Sequence, residues 1–214
     1  MLTRCWCAFF LVILVSSVAA QEKQLPRVVL VGDSIRIGYA PFVAKLLDGK
    51  AIVVSPKPNG EDSGNVLRNL EEWVLKEKPD VVHINAGLHD LKLKDKNYQV
   101  PLVEYEKNLK AILERIQKDT NAKVIFATTT PILDNLHAQR KAGFDRFDAD
   151  VQKYNIAAVS VMKQAGIPIN DLHKLIEGSG TNKLLGGDGT HYTQEGYEML
   201  AAAVADSILR SLGQ

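Results

Sequence analysis

Short, uniformly apolar runs alternate along the chain with longer stretches whose apolar positions recur every three or four residues. The short runs are residues 27–32 (RVVLVG), 51–55 (AIVVS), 79–87 (PDVVHINAG), 122–131 (AKVIFATTTP) and 167–171 (IPIND). Each is bounded by turn formers and predicts a buried strand. Helical spacing marks residues 39–47, where Pro41 is tolerated if it falls in a first turn. It continues over 65–78, with Val66, Leu67, Leu70, Trp73 and Val74 apolar, and over 103–120, with Leu109, Ile112, Leu113 and Ile116 on one face. Two further helices are expected over 148–166 and 193–212, the last capped by Thr193. Strands with no polar face, alternating with helices, predict a parallel sheet covered on both sides: a three-layer α/β domain. No repeat, low-complexity tract or linker divides it.

In such sheets ligands collect where the strands end at their carboxyl edges. The segments expected there are Gly32-Asp33-Ser34, the turn-rich loop 56–64 (PKPNGEDSG), Asn85 to Asp90, and the long stretch Thr128 to Asp148. The loop before the last helix, GGDGTHYT, holds Asp188 and His191 three residues apart. At that spacing a carboxylate can reach the imidazole Nδ1, hold its tautomer and stabilise the imidazolium formed when Nε2 takes a proton. A serine needs such a base to become a nucleophile. Ser34 with Asp188 and His191 therefore makes a candidate triad, although Asp-x-x-His is a weak signal by itself. No G-x-S-x-G elbow occurs, and neither GDSIRIG nor GDGTHYT has the glycine spacing of a nucleotide-binding loop.

Residues 1–20 stand apart from this pattern. Arg4 precedes an apolar run that ends in Val18-Ala19-Ala20, small residues of the kind a signal peptidase reads, so cleavage after Ala20 and a secreted or periplasmic location are expected. The run is short for a spanning helix, which needs about 20 apolar residues, so no stable membrane anchor is expected after cleavage. Loss of Arg4 leaves 26 − 1 = 25 basic against 25 acidic residues, a balance that offers nucleic acid no bulk attraction. The only cysteines, Cys5 and Cys7, leave with the same segment, so the mature chain has neither a disulfide nor a thiol nucleophile. Residues 21–214 are expected to fold as a single domain.

Four segments, in order, carry a family resemblance: Gly32-Asp33-Ser34 after the first strand, a glycine in the loop after the second, Gly87-Leu88-His89-Asp90 after the third, and Asp188-x-x-His191 before the last helix. They resemble the SGNH (GDSL-like) hydrolases across nearly the whole mature chain. Tyr154-Asn155 and the run His191-x-Thr193-x-x-Gly196-Tyr197 are similar to members acting on carbohydrate esters. The resemblance implies a three-layer α/β/α sandwich with a parallel, flavodoxin-like five-stranded sheet. It implies Ser34 as nucleophile, His191 as base and Asp188 as its orienter, with no metal or organic cofactor. It also implies an oxyanion hole made by the Ser34 N–H, a glycine N–H (Gly60, or alternatively Gly64) and an Asn side chain. This sequence departs from the family at that last position, which holds His89. Either the imidazole donates in place of the amide, or Asn85 supplies an amide from nearby, or activity is weak.

The expected activity is release of short acyl groups, acetyl foremost, from a small-molecule or polysaccharide ester. Lipid or lysophospholipid esters are an alternative. A non-catalytic carbohydrate-binding protein on a degenerate scaffold is another, motivated by His89. A metal-dependent phosphoesterase using Asp33, His89, Asp90, Asp188 and His191 is a third. Asp33 reads first as a turn-stabilising carboxylate and Arg36 as a solvated first-turn residue, each a weaker candidate for substrate binding. His83 reads as a buried strand histidine, Asp90 as loop support, and His137 and His173 as loop residues without partners. Residues 138–150 read as a mobile rim of the site. Nothing in the pattern specifies an oligomeric state.

Overall fold

The computed structural model describes residues 24–214, so the leader expected over residues 1–20 lies outside the described residues. The chain runs β1 (Arg27–Val31), α1 (Ser34–Leu46), β2 (Ile52–Val54), α2 (Ser63–Arg68), α3 (Leu70–Trp73), a 3-10 turn (Leu75–Glu77) and β3 (Val81–Ile84). It continues through β4 (Leu93–Lys94), β5 (Asn97–Tyr98), α4 (Leu102–Asp119), β6 (Lys123–Ala127), α5 (Asp134–Gln139), α6 (Asp148–Gln164), β7 (Ile169–Asn170), α7 (Leu172–Ser179), α8 (Thr181–Leu184) and α9 (Gln194–Leu212). Five strands form one parallel sheet in the order β2-β1-β3-β6-β7, the flavodoxin-like order. β4 and β5 form a separate antiparallel hairpin.

The apolar runs are continuous because the central strands have no wet face. Val28 to Val31 and Val81 to Ile84 are buried at every position, His83 included. α1 and α9 pack on each other, with α9 lying along β3, β6 and β7, while α4 sits between α2 and α6 in the second helical layer. α1 and α9 can approach because residue 38 is glycine: a Cβ there would fall 2.1 Å from Cε1 of Tyr197. Gly196 lets the start of α9 approach the end of α8, since its Cβ would lie 2.6 Å from the Leu184 carbonyl. Among the described residues no helix is long and apolar enough to cross a membrane.

Three local expectations change. α1 begins at Ser34 rather than near Tyr39, because Asp33 caps it by accepting the Ile35 N–H at 2.9 Å; Pro41 therefore stands inside the helix. The helix expected over 65–78 is broken into α2, α3 and a 3-10 turn. The first break falls at Asn69, whose φ of −100° and ψ of 8° leave helical geometry, while its backbone N–H and its Nδ2 both donate to the Asn65 carbonyl, at 3.1 and 2.9 Å. The rim at 138–150 is tied down, since Leu93 and Asp145 exchange both backbone hydrogen bonds, at 2.9 and 2.8 Å.

The strand order reverses direction at β1 and β3, one leading out to β2 and the other to β6. The crevice at their carboxyl ends is the topological switch point where α/β sheets bind ligands. Ser34 follows β1 and His89 follows β3, so the two flank it.

Candidate active site

Ser34 is the first residue of α1, which leaves its N–H among the four that no carbonyl of the helix can reach. Beneath it the Asp33 carboxyl is 2 % exposed, and its Oδ2 has no hydrogen-bond partner. Burial pushes its pKa up, opposed by the Ile35 N–H and by the charges of Arg146 and Arg36.

His191 sits on a tight loop. Leu185 and Tyr192 bridge, and Gly186 N–H donates to the His191 carbonyl at 2.6 Å. Asp188 Oδ1 accepts the N–H groups of Thr190 (2.9 Å) and His191 (2.8 Å), which curls the loop so that its Oδ2 meets His191 Nδ1 at 2.6 Å. His191 Nε2 then lies 2.9 Å from Ser34 Oγ. Thr193 closes the loop by capping α9, accepting the Gly196 N–H at 3.2 Å. Burial raises the Asp188 pKa, but the His191 side chain and the two backbone N–H groups outweigh it and hold the carboxyl at about 2. A permanently ionised Asp188 fixes the proton of His191 on Nδ1, leaving Nε2 to accept from the serine. The structure thus brings Ser34, Asp188 and His191 into one hydrogen-bonded line. Arg140, which sequence patterning did not single out, adds a cation 3.5 Å from Asp188 Oδ2.

The opposite wall differs from expectation in three places. Gly60 comes so close to β1's end that a Cβ would sit 2.6 Å from the Gly32 carbonyl, and its N–H donates to that same carbonyl at 3.0 Å. The amide expected to face a substrate oxygen is therefore occupied, and Gly64 lies a turn further on, in the start of α2. Asn85 gives its side-chain amide to the Ala127 carbonyl at 2.8 Å, which links β3 to β6. Arg36, expected in solvent or at a substrate, is 3 % exposed. Its guanidinium donates to the carbonyls of Gly32, Pro56 and Pro58 and to Ser55 Oγ. Arg36 thus pins the β2–α2 loop to the end of β1.

His89 remains at the cleft. Burial, then the charges of Lys92 and Arg146, pushes its pKa down to about 3, so the ring is neutral and carries a single N–H. Asp90 supports the neighbouring loop, accepting from Ser63 N–H at 3.0 and 3.1 Å and from Ser63 Oγ at 2.5 Å, while Asn108 Nδ2 donates to the same Ser63 Oγ. Burial raises the Asp90 pKa to about 6. The donor set needed by a metal phosphoesterase does not converge: Asp90 is committed to Ser63 and Asp188 to His191. Among the described residues no three His, Cys, Asp or Glu side chains gather in a metal-holding group.

The remaining candidates support the frame. Asn155 clamps Thr129 from both sides, its Oδ1 accepting the N–H at 2.8 Å and its Nδ2 donating to the carbonyl at 2.7 Å. Tyr154 donates to the Val100 carbonyl at 2.7 Å. His83 Nε2 lies 3.2 Å from Asn170 Nδ2, and burial lowers its pKa to about 4. His137 is buried in α5 beside Thr190 rather than in a loop, and His173, in α7, faces Asp148 at 3.6 Å.

The fold has solved counterparts. A lipase/acylhydrolase from Enterococcus faecalis superposes with a TM-score of 0.74 at 27 % identity, covering 86 % of this chain and 95 % of that one. The acetyl xylan esterase AlAXEase superposes at 0.69 with 21 % identity (85 % and 99 % covered). Axe2, an acetylxylan esterase from Geobacillus stearothermophilus, does so at 0.66 with 20 % identity (88 % and 94 % covered). No curated protein sequence matches. The model of the GDSL-like lipase/acylhydrolase family matches residues 30–199, a span that reaches from β1 through Ser34 to Asp188 and His191 and into α9. With that match over most of its length and this sandwich fold, the chain belongs to the GDSL-like (SGNH) lipase/acylhydrolase family and is a carboxylic ester hydrolase.

Proposed function

We propose that the protein is an exported serine esterase that removes short acyl groups, acetyl foremost, from carbohydrate. The observation that carries the reading is the unbroken line Asp188–His191–Ser34, with links of 2.6 and 2.9 Å. Ser34 Oγ attacks the ester carbonyl carbon while His191 Nε2 takes the hydroxyl proton. The sugar alkoxide departs with that proton, leaving an acyl-serine. Water then gives a proton to Nε2 and attacks the acyl carbon, and Ser34 leaves reprotonated with release of the acid. The negative oxygen of each tetrahedral intermediate meets the Ser34 N–H at the positive end of α1, a 13-residue helix, and the single N–H of neutral His89. The carbohydrate preference is supported by the acetylxylan esterases among the structural relatives. Export is supported by the apolar leader ending at Ala20.

Hydrolysis of p-nitrophenyl acetate and of acetylated xylooligosaccharides by wild type and Ser34→Ala tests this. Serine-dependent turnover on both, with the sugar ester preferred, is the expected result. No turnover above Ser34→Ala on either ester would remove the esterase and leave a binding protein. Mass measurement of the secreted product checks cleavage after Ala20.

A further inference from the structure

Beyond the proton relay, several buried side-chain nitrogen atoms have no partner. Arg146 is 5 % exposed, makes no ion pair within 4.0 Å among the described residues, and its Nε has no hydrogen-bond partner. His89 Nδ1 and His137 Nε2 are likewise buried without partners. The backbone exchange between Leu93 and Asp145 holds Arg146 in place. Its guanidinium carbon lies 4.9 Å from the centroid of the Phe144 ring, Lys92 Nζ lies 5.0 Å from the same centroid, and the His137 ring stacks against it at 5.6 Å. His137, which touches Phe144 on one side and lies 3.3 Å from Thr190 Oγ1 on the other, sets this cluster beside the loop that carries Asp188 and His191, and the field of Arg146 acts on Asp33, His89, His137 and Lys92.

A desolvated cation is costly unless an anion neutralises it. The two acids whose fields reach Arg146 do not supply one at contact range. Asp188 is committed to His191 and Arg140, and Asp33, whose Oδ1 caps α1 and whose Oδ2 is unpartnered, makes no ion pair with Arg146 within 4.0 Å. Lys92 also makes no ion pair among the described residues, so a second cation shares the vacancy. An aromatic ring that both cations contact orients them without neutralising either. A planar guanidinium held this way matches a carboxylate.

We propose that Arg146, with Lys92 on the same Phe144 ring, is an anion subsite beside the loop that carries His191, and that it takes a carboxylate carried by the ester substrate. The preferred substrate is then an acyl ester of an acidic sugar, a uronic acid, rather than of a neutral one. The proposal rests on the esterase reading above.

The test compares kcat/KM for an O-acetylated methyl glucuronide and the matched O-acetylated methyl glucoside in wild type, Arg146→Met, Arg146→Lys and Lys92→Met. Wild type should prefer the glucuronide by roughly 10- to 100-fold, the worth of one charge-assisted hydrogen-bonded contact. Arg146→Met should abolish the preference mainly through KM, Arg146→Lys should retain part of it, and Lys92→Met should weaken it. No preference in wild type overturns the proposal. So does an equal loss on both sugars in Arg146→Met, which would make Arg146 part of the common machinery or of the fold. Calorimetric binding of glucuronate and glucose to Ser34→Ala, with and without Arg146→Met, reads the subsite apart from catalysis. If no ester is hydrolysed, Arg146-dependent binding of glucuronate over glucose still supports the subsite, and its absence overturns it.

Discussion

Replacing Arg36 by Met removes the peg that holds the β2–α2 loop while keeping an apolar stem of similar length. The guanidinium reaches Pro56 O at 2.7 Å, Pro58 O at 2.8 Å, Ser55 Oγ at 2.8 Å and Gly32 O at 3.0 and 3.2 Å. Gly32 O keeps the Gly60 N–H, so its loss is partial. The two proline carbonyls lie on a loop that water can reach, so each forfeits about 1.5 kcal/mol, the low end for a hydrogen bond to a charged group. Those two contacts alone come to about 3 kcal/mol. For a domain of this size that lowers Tm by roughly 6–12 °C, measured by circular dichroism. Arg36→Lys should recover only part, because a point charge cannot serve three carbonyls in a plane. Turnover of p-nitrophenyl acetate should fall at least about tenfold as the loop beside Ser34 shifts. A Tm within about 2 °C of wild type, with KM alone raised, would refute the peg and place Arg36 at the substrate.

Gly38→Ala should lose about 1–2 kcal/mol despite the better helix former, since the new methyl meets the rigid Tyr197 ring at 2.1 Å; a stabilised variant in thermal melts would show that the ring moves freely. Asp90→Asn tests the buried carboxyl, whose pKa of about 6 lies above the ordinary 3.8. Its contribution is full below pH 3.8 and is lost as pH rises to about 6, a swing of about 3 kcal/mol. The variant should therefore gain on wild type by that amount between pH 4 and 7 in urea unfolding; a pH-independent difference contradicts it. In His89→Asn, turnover of p-nitrophenyl acetate should persist and its pH profile should not move, because the wild-type ring stays neutral down to about 3. A loss exceeding about tenfold would mean that the imidazole does something an amide cannot.

The sheet was legible because strands buried on both faces leave unbroken apolar runs, as at Val28 to Val31. The line of Ser34, His191 and Asp188 was legible because Ser34 comes directly after β1 and the Asp-x-x-His spacing lets one tight loop bring carboxylate and imidazole together. Less could be read where side chains compete with the backbone. A helix whose apolar spacing is sound breaks at Asn69. The β4–β5 turn uses Asp95 and Lys96, both at positive φ (49° and 65°), without the glycine that normally signals such a turn. Arg36 was misplaced, and Arg146 passed over, for a related reason. An arginine in a first turn or a charged loop looks solvated until distant segments close over it, here residues 55–58 in one case and Lys92 with Phe144 in the other.

The contact between Gly38 and Tyr197 also bears on when the enzyme becomes active. It joins the helix that carries Ser34 to the helix that follows His191, and those two side chains are separated by 157 positions in sequence. A ribosome-bound chain can complete β1, α1 and most of the sheet before His191 can meet Ser34. Only the docking of α9 brings the two together. Ester hydrolysis is then a late event in folding, and its onset in a refolding experiment would time the seating of one tyrosine ring in the notch left by one missing side chain.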